Sequence, residues 1–135
     1  MALIPSGACG VTIVSVGPTV LLVDDSASFR WFARELLDTE GFVVIGEAES
    51  GLAAVEAVNR LDPDVVLLDV ALPDIDGFEV CARITRPGLA RPAVVLTSSR
   101  DPQDFRRRLD DSAARGFLPK ETLTGAALAA VAYPR

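Results

Sequence analysis

Five short apolar runs punctuate the chain: Val20-Leu21-Leu22-Val23, Phe42-Val43-Val44-Ile45, Val65-Val66-Leu67-Leu68, Ala93-Val94-Val95-Leu96 and Gly116-Phe117-Leu118. They are continuous rather than alternating, which is the pattern of strands buried on both faces, as in a parallel sheet. Between them the apolar residues recur at helical spacing. Ser26 or Ser28 caps a first helix whose inward face is Phe29, Phe32, Ala33, Leu36 and Leu37, with Gly41 as its stop. Ser50 opens a second, carrying Ala54, Val55, Val58 and Leu61, with Pro63 beyond its end. A loop with Pro73 and Gly77 leads to a third helix with Phe78, Cys81 and Ile84. Asp101 followed by Pro102 is an N-cap with proline at the first helical position, and Phe105, Leu109 and Ala113 are expected to face inward on that fourth helix. A last, short helix is expected from about Thr124 to Ala132.

Alternating strands and helices with apolar strands predict an α/β fold, a parallel sheet with helices on both faces. Right-handed crossovers make it doubly wound, and ligands in such folds gather outside the carboxyl ends of the strands. Residues 20–135 are expected to form the domain. Residues 1–19 are expected to be a loosely docked or poorly ordered arm rather than an added edge strand.

The composition fits this picture: 135 residues, half of them apolar and 24% charged, with a net charge of −6. The acidic balance offers no reason to expect direct nucleic-acid binding. No apolar run reaches the ~20 residues of a membrane span, and the start lacks the basic region of a signal peptide. Cys9 and Cys81 are far apart and have no metal or redox spacing. The expected location is the cytoplasm. There is no histidine, which excludes His-based triads and His metal sites. The thirteen basic residues are twelve arginines and one lysine, Lys120.

Polar chemistry collects at the strand ends. Asp24 and Asp25 close the first strand, Asp69 the third and Thr97 the fourth, while Lys120 follows the fifth. Three neighbouring carboxylates repel unless a cation balances them, and hard oxygen ligands on a partly open rim suit Mg²⁺ or Mn²⁺. A carboxylate nucleophile at Asp69, a cation, an ammonium and a hydroxyl together match phosphoryl transfer, which depends mainly on positioning and charge neutralisation. Taken singly these residues mean little, since an Asp-Asp pair often only starts a helix. Four strand ends carrying one set is the stronger observation.

From about Val20 to Ala132 the chain resembles the receiver domain of bacterial response regulators, the CheY-like superfamily. The motifs that carry the resemblance are Leu22-Val23-Asp24-Asp25, Leu67-Leu68-Asp69 followed by Leu72-Pro73-Asp74-Ile75-Asp76-Gly77, Leu96-Thr97-Ser98, and Gly116-Phe117-Leu118-Pro119-Lys120. The last looks most like receivers of the helix-turn-helix branch, the NarL/LuxR type. The resemblance implies a flavodoxin-like, five-stranded sheet of order 2-1-3-4-5. It implies a two-component phosphoprotein whose Asp69 takes a phosphoryl group from a sensor histidine kinase or a histidine phosphotransfer protein. It also implies Mg²⁺ held by Asp25 directly, by Asp24 largely through water, by Asp69 and by the Ala71 carbonyl. Thr97 and Phe117 match the switch pair and Lys120 the phosphate-binding lysine. Ala71 and Ser99 would line the water path and tune dephosphorylation. The output would pass through the face formed by the fourth helix, fifth strand and last helix, with phosphorylation-dependent dimerisation as one outcome. Such a protein is not a conventional enzyme, although it would catalyse its own phosphorylation and slow dephosphorylation.

Departures from the family are Phe117 for the commoner tyrosine, Glu121 where many receivers carry proline, and the arm. With a short last helix and no output domain after it, a natural single-domain regulator and a truncated longer one are both open. Trp31 is expected opposite the apolar stripe of the first helix, beside Arg30 and Arg34, as a partner-docking surface. Arg106-Arg107-Arg108 is expected to be a solvated face. A phosphorylation-independent pseudo-receiver is the alternative, disfavoured by the complete residue set. An aspartate-nucleophile phosphatase would need an acid where Ala71 stands, and a flavodoxin-like cofactor binder would need a phosphate loop after the first strand.

Overall fold

The structure is a computed structural model that describes residues 17–134. Five parallel strands alternate with helices: β1 (Thr19–Val23), α1 (Ala27–Thr39), β2 (Val43–Ala48), α2 (Gly51–Leu61), β3 (Val65–Asp69), α3 (Gly77–Ile84), β4 (Ala93–Ser98), α4 (Arg106–Asp110), β5 (Gly116–Pro119) and α5 (Gly125–Ala132). The strand order is β2-β1-β3-β4-β5. This is the expected doubly wound sheet.

The apolar strands divide their side chains between two cores, as the period-two geometry of a strand requires. Val20, Leu22, Val65, Leu67 and Val95 face α1 and α5, where Ala33, Leu37, Leu128 and Ala132 meet them. Leu21, Val23, Val66, Leu68 and Leu96 face the other side, against Ala54, Val58, Phe78, Cys81 and Phe105. Every residue of β3 is buried, because β3 is central in the sheet and covered on both faces.

Local signals behave as the sequence suggests. Ser26 and Ser50 cap α1 and α2 by accepting from backbone N–H groups, and α5 starts at its cap Thr124, while Asp76, for which no capping role was expected, caps α3 in the same way. Gly41 turns the chain after α1 at a φ of +96°, a left-handed conformation that favours glycine.

Several expectations need correction. Phe32 is 47% exposed. It lies about 100° round the helix from Ala33, at the margin of the buried stripe, with its ring near Phe29. The strand β2 continues to Ala48, held by pairing with β1 through Gly46 and Glu47. Likewise β4 includes Thr97 and Ser98, which pair with Leu118 and Pro119. The fourth helix is much shorter than expected: a 3₁₀ turn over Pro102–Phe105 runs into α4, which ends at Asp110, and Ala113 lies beyond it, exposed. Ser112 takes over there. Its hydroxyl donates to the Leu109 carbonyl and accepts from the Ala114 amide, the local bonding by which serine competes with a helix.

Of the arm, Thr19 belongs to β1, with its amide and hydroxyl both donating to Asp64. Residues 1–16 lie outside the described residues, as does Cys9. No helix among the described residues is long and apolar enough to cross a membrane.

Candidate functional site

The site sits where β1, β3 and β5 end. Because β1 and β3 are neighbours, Asp24 and Asp25 are delivered beside Asp69. One carboxylate oxygen from each of the three lies within 4.8 Å of the others. Asp24 and Asp69 are buried, whereas Asp25 is exposed. The Asp24 backbone is anchored on two sides, its amide donating to Ala48 of β2 and its carbonyl accepting from Arg30. Its Oδ1 accepts from the Ser26 amide at 2.9 Å. Asp69 Oδ1 accepts from the Ala71 amide at 3.2 Å, and Oδ2 from Lys120 Nζ at 3.3 Å.

Lys120, in the turn after β5, reaches back across the rim. Its Nζ is 2.6 Å from Asp24 Oδ2. That is ion-pair distance, and the ammonium is the partner of this buried oxygen. Three converging carboxylates, two of them buried, with a single ammonium among them fit a hard divalent cation.

The electrostatics agree. Burial, then the neighbouring Asp24 charge, push the Asp69 pKa up to about 6, with Lys120 and the Ala71 amide opposing. Burial works against the Lys120 ammonium, but Asp24 and Asp69 outweigh it and hold its pKa above the ordinary value. Asp69 is thus a poorly solvated carboxylate, open at one end of its strand and flanked by a cation. It can attack an electrophile whose negative charge is shared by the ammonium.

The remaining expected residues fall out as follows. Thr97 pairs with Asp69 across the ladder, but its hydroxyl donates to the Leu118 carbonyl at 2.6 Å. A buried hydroxyl needs an acceptor, and β5 supplies it. Phe117 is half-buried and already packs inward on Phe105, with ring centroids 6.1 Å apart, and Phe105 packs on Phe78 at 6.0 Å. Ala71 and Ser99 are exposed just after β3 and β4. Trp31 is 66% exposed. Arg30 and Arg34 are engaged beside it, each donating from Nε to Glu47 of β2 at 2.8 Å. Partial burial opposes the Glu47 charge, yet Arg34 and Arg30 hold its pKa below the usual range.

Some residues that shape the site stand in the sequence motifs without an expected role there. Asp74 accepts from the Gly51 and Leu52 amides at 2.7 and 2.8 Å, tying the loop after Asp69 to the start of α2. Those bonds depress its pKa to about 2. Asp76 caps α3 and also accepts from Arg108 at 2.6 Å, while the Arg108 guanidinium lies 4.2 Å from the Phe78 ring centroid. Arg108 stays exposed with Arg106 and Arg107, as expected of a solvated face, and makes these two contacts from it. Gly77 leaves no room for a Cβ, which would fall 2.4 Å from the Asp69 carbonyl oxygen. Here the acidic loop motif carried the only available signal, because the partners are 22 to 32 residues away in the chain.

Comparison with known proteins follows this geometry. The family model described as response regulator receiver domain matches residues 20–132. The chain is 41% identical over 108 residues to the DNA-binding response regulator MtrA of Mycolicibacterium paratuberculosis, covering 76% of this chain and 46% of that one. It is 37% identical over 101 residues to the transcriptional regulatory protein PdtaR of Mycobacterium tuberculosis, covering 75% and 48%. Among solved structures, the signal receiver domain of NarL from Mycobacterium tuberculosis is 33% identical with a TM-score of 0.77, over 88% of this chain and 98% of that one. The response regulator domain of Thermotoga maritima CheB is 27% identical with a TM-score of 0.68, over 84% and 85%. The chain spans about half the length of the curated relatives it matches.

Proposed function

The chain belongs to the response regulator receiver domain family of two-component systems, and we propose that it works as a phosphorylatable receiver with Asp69 as the acceptor. The observation that carries this reading is the convergence of Asp24, Asp25 and Asp69 beside Lys120.

Receiver domains pair with histidine kinases or phosphotransfer proteins and bind Mg²⁺ at an aspartate cluster. Here Asp24, Asp25, Asp69 and the Ala71 carbonyl would hold the ion. When bound, it would neutralise charge on the reacting phosphoryl oxygens. The chain's own residues do the rest. A carboxylate oxygen of Asp69 attacks phosphorus in the donor. The bond from phosphorus to the donor's nitrogen or oxygen breaks, its electron pair stays on the donor, and an acyl phosphate forms on Asp69. Lys120 orients the incoming group by attracting one oxygen. The Thr97 hydroxyl exchanges the Leu118 carbonyl for another, and Phe117 responds within the aromatic row Phe78–Phe105–Phe117. Two positions of that pair define the switch, and phosphate favours one of them. In the reverse half of the cycle water attacks phosphorus, the acyl phosphate bond breaks, and Asp69 returns as carboxylate with release of inorganic phosphate. The small, exposed Ala71 and Ser99 leave room for that water.

Relatives about twice the length are named a transcriptional regulatory protein and a DNA-binding response regulator, which supports an output in transcription delivered by a partner or by further chain. The exposed Trp31 is a candidate contact for the phosphodonor protein.

The test is incubation with acetyl phosphate and Mg²⁺, followed by intact mass. A gain of one phosphoryl group, acid-stable and base-labile and absent in Asp69→Ala, is expected. No gain with acetyl phosphate or with a histidine kinase overturns the reading in favour of a phosphorylation-independent module.

A further inference from the structure

We propose that Phe29 is a positioning residue whose ring face keeps Lys120 directed at Asp69 throughout the phosphoryl cycle, an inference that rests on the receiver reading above. Lys120 Nζ lies 4.6 Å from the centroid of the Phe29 ring. Its other charged neighbours are Asp24 Oδ2 at 2.6 Å and Asp69 Oδ2 at 3.3 Å, and the lysine side chain is 20% exposed. A cation within about 6 Å of a ring centroid is attracted by the ring quadrupole, more strongly when it is partly desolvated.

The three neighbours differ in what the reaction does to them. When the acyl phosphate forms, the attacking Asp69 oxygen becomes a bridging oxygen and the negative charge on that side moves to the phosphoryl oxygens. Asp24 turns its attraction toward a divalent cation once one is bound. The neutral ring takes neither phosphate nor metal, so its hold on the ammonium does not change. Lysine is a point charge on a flexible four-carbon stem. Without the ring, and before a phosphoryl oxygen arrives, it would follow Asp24, the nearer of the two carboxylates, or extend to solvent. Phe29 is well placed to prevent this, since its amide donates to the Ser26 cap at 3.2 Å and fixes the residue in the first turn of α1. Any apolar side chain would serve a half-buried place on the helix stripe. Only an aromatic face serves the place beside the ammonium.

The experiment compares wild type, Phe29→Leu and Phe29→Tyr. Lys120 is the one lysine in the sequence, so its ε-methylene gives a single lysine side-chain signal in a ¹H–¹³C spectrum of the folded, unphosphorylated protein. That signal is expected upfield in wild type and Phe29→Tyr, through the ring current, and at its ordinary position in Phe29→Leu. Labelling by acetyl phosphate with Mg²⁺ is expected to slow about three- to tenfold in Phe29→Leu and to stay near wild type in Phe29→Tyr. A thermal melt checks that both variants fold, and Phe29→Met replaces Phe29→Leu if the latter does not. An unshifted wild-type lysine signal, equal rates in all three proteins, or a tyrosine variant as slow as leucine overturns the proposal. A shifted lysine signal in a wild type that takes no phosphate overturns the receiver reading and leaves the ring–ammonium contact standing.

Discussion

Asp69 holds its charge where the surroundings oppose it. Its pKa lies near 6 in the fold, against an ordinary value of 3.8. A carboxyl raised on folding binds its proton more tightly in the native state. Its contribution to stability is therefore complete below about 3.8 and is lost as the pH rises through about 6. Near neutral pH the ionised Asp69 is a cost that function retains. Asp69→Asn is accordingly expected to be more stable than wild type near neutral pH in chelator, by about 1–2 kcal/mol, since part of the gain is returned when Lys120 loses a partner. Urea unfolding at two pH values checks this, and the difference should disappear below about pH 4, where both side chains are neutral. Asp24, Asp25, Asp69 and Lys120 were legible in the sequence because a strand end gives a polar residue a definite place in space. Phe29 was legible only as a member of the helix stripe, because Lys120 lies 91 residues further along the sequence.

At the scale of elements, the loop after β3 is held by two carboxylates with separate tasks. Asp74 bonds the first amides of α2, and Asp76 both caps α3 and pairs with Arg108 of α4. The cap satisfies an amide that the helix leaves without a partner, while the ion pair is largely solvent-exposed. Asp76→Ala is expected to cost about 1–2 kcal/mol, whereas Arg108→Ala should cost less than about 1 kcal/mol. Asp76→Asn, which retains an oxygen for the cap, should fall with Arg108→Ala. Chemical denaturation of the three variants distinguishes them. Helix starts were readable from Ser26, Ser50, Asp101 and Thr124. The end of α4 was not, because the local bonds of Ser112 compete with an otherwise acceptable helical pattern. The strand ends of β2 and β4 were underestimated for the converse reason: polar residues stay in a strand when a neighbouring strand pairs with them.

At the scale of the molecule, strand order makes the site. Neighbouring β1 and β3 bring carboxylates together that are 44 and 45 residues apart in the sequence, and folding must oppose their repulsion. A divalent cation bound at that junction would stabilise the native state alone, so Mg²⁺ at about ten times its Kd is expected to add about 1.4 kcal/mol. Thermal melts across a Mg²⁺ titration measure it. Asp25→Asn should lose the response while melting like wild type in chelator, because Asp25 is exposed and a change there costs little. The opposite result, an unchanged Mg²⁺ response in Asp25→Asn, would remove Asp25 from the metal site.

The sequence by itself determined the five-unit α/β alternation, the buried strands and the rim on which the chemistry gathers. Each of these follows from periodicity and from where a chain places polar residues at the end of an apolar run. Only the tertiary structure decided that Lys120 lies nearer Asp24 than Asp69, that Thr97 donates to Leu118, and that Arg30, Arg34 and Arg108 are engaged within the fold. These are contacts between distant segments. Their partners are chosen by distance and direction in three dimensions, and no local pattern of residues encodes either.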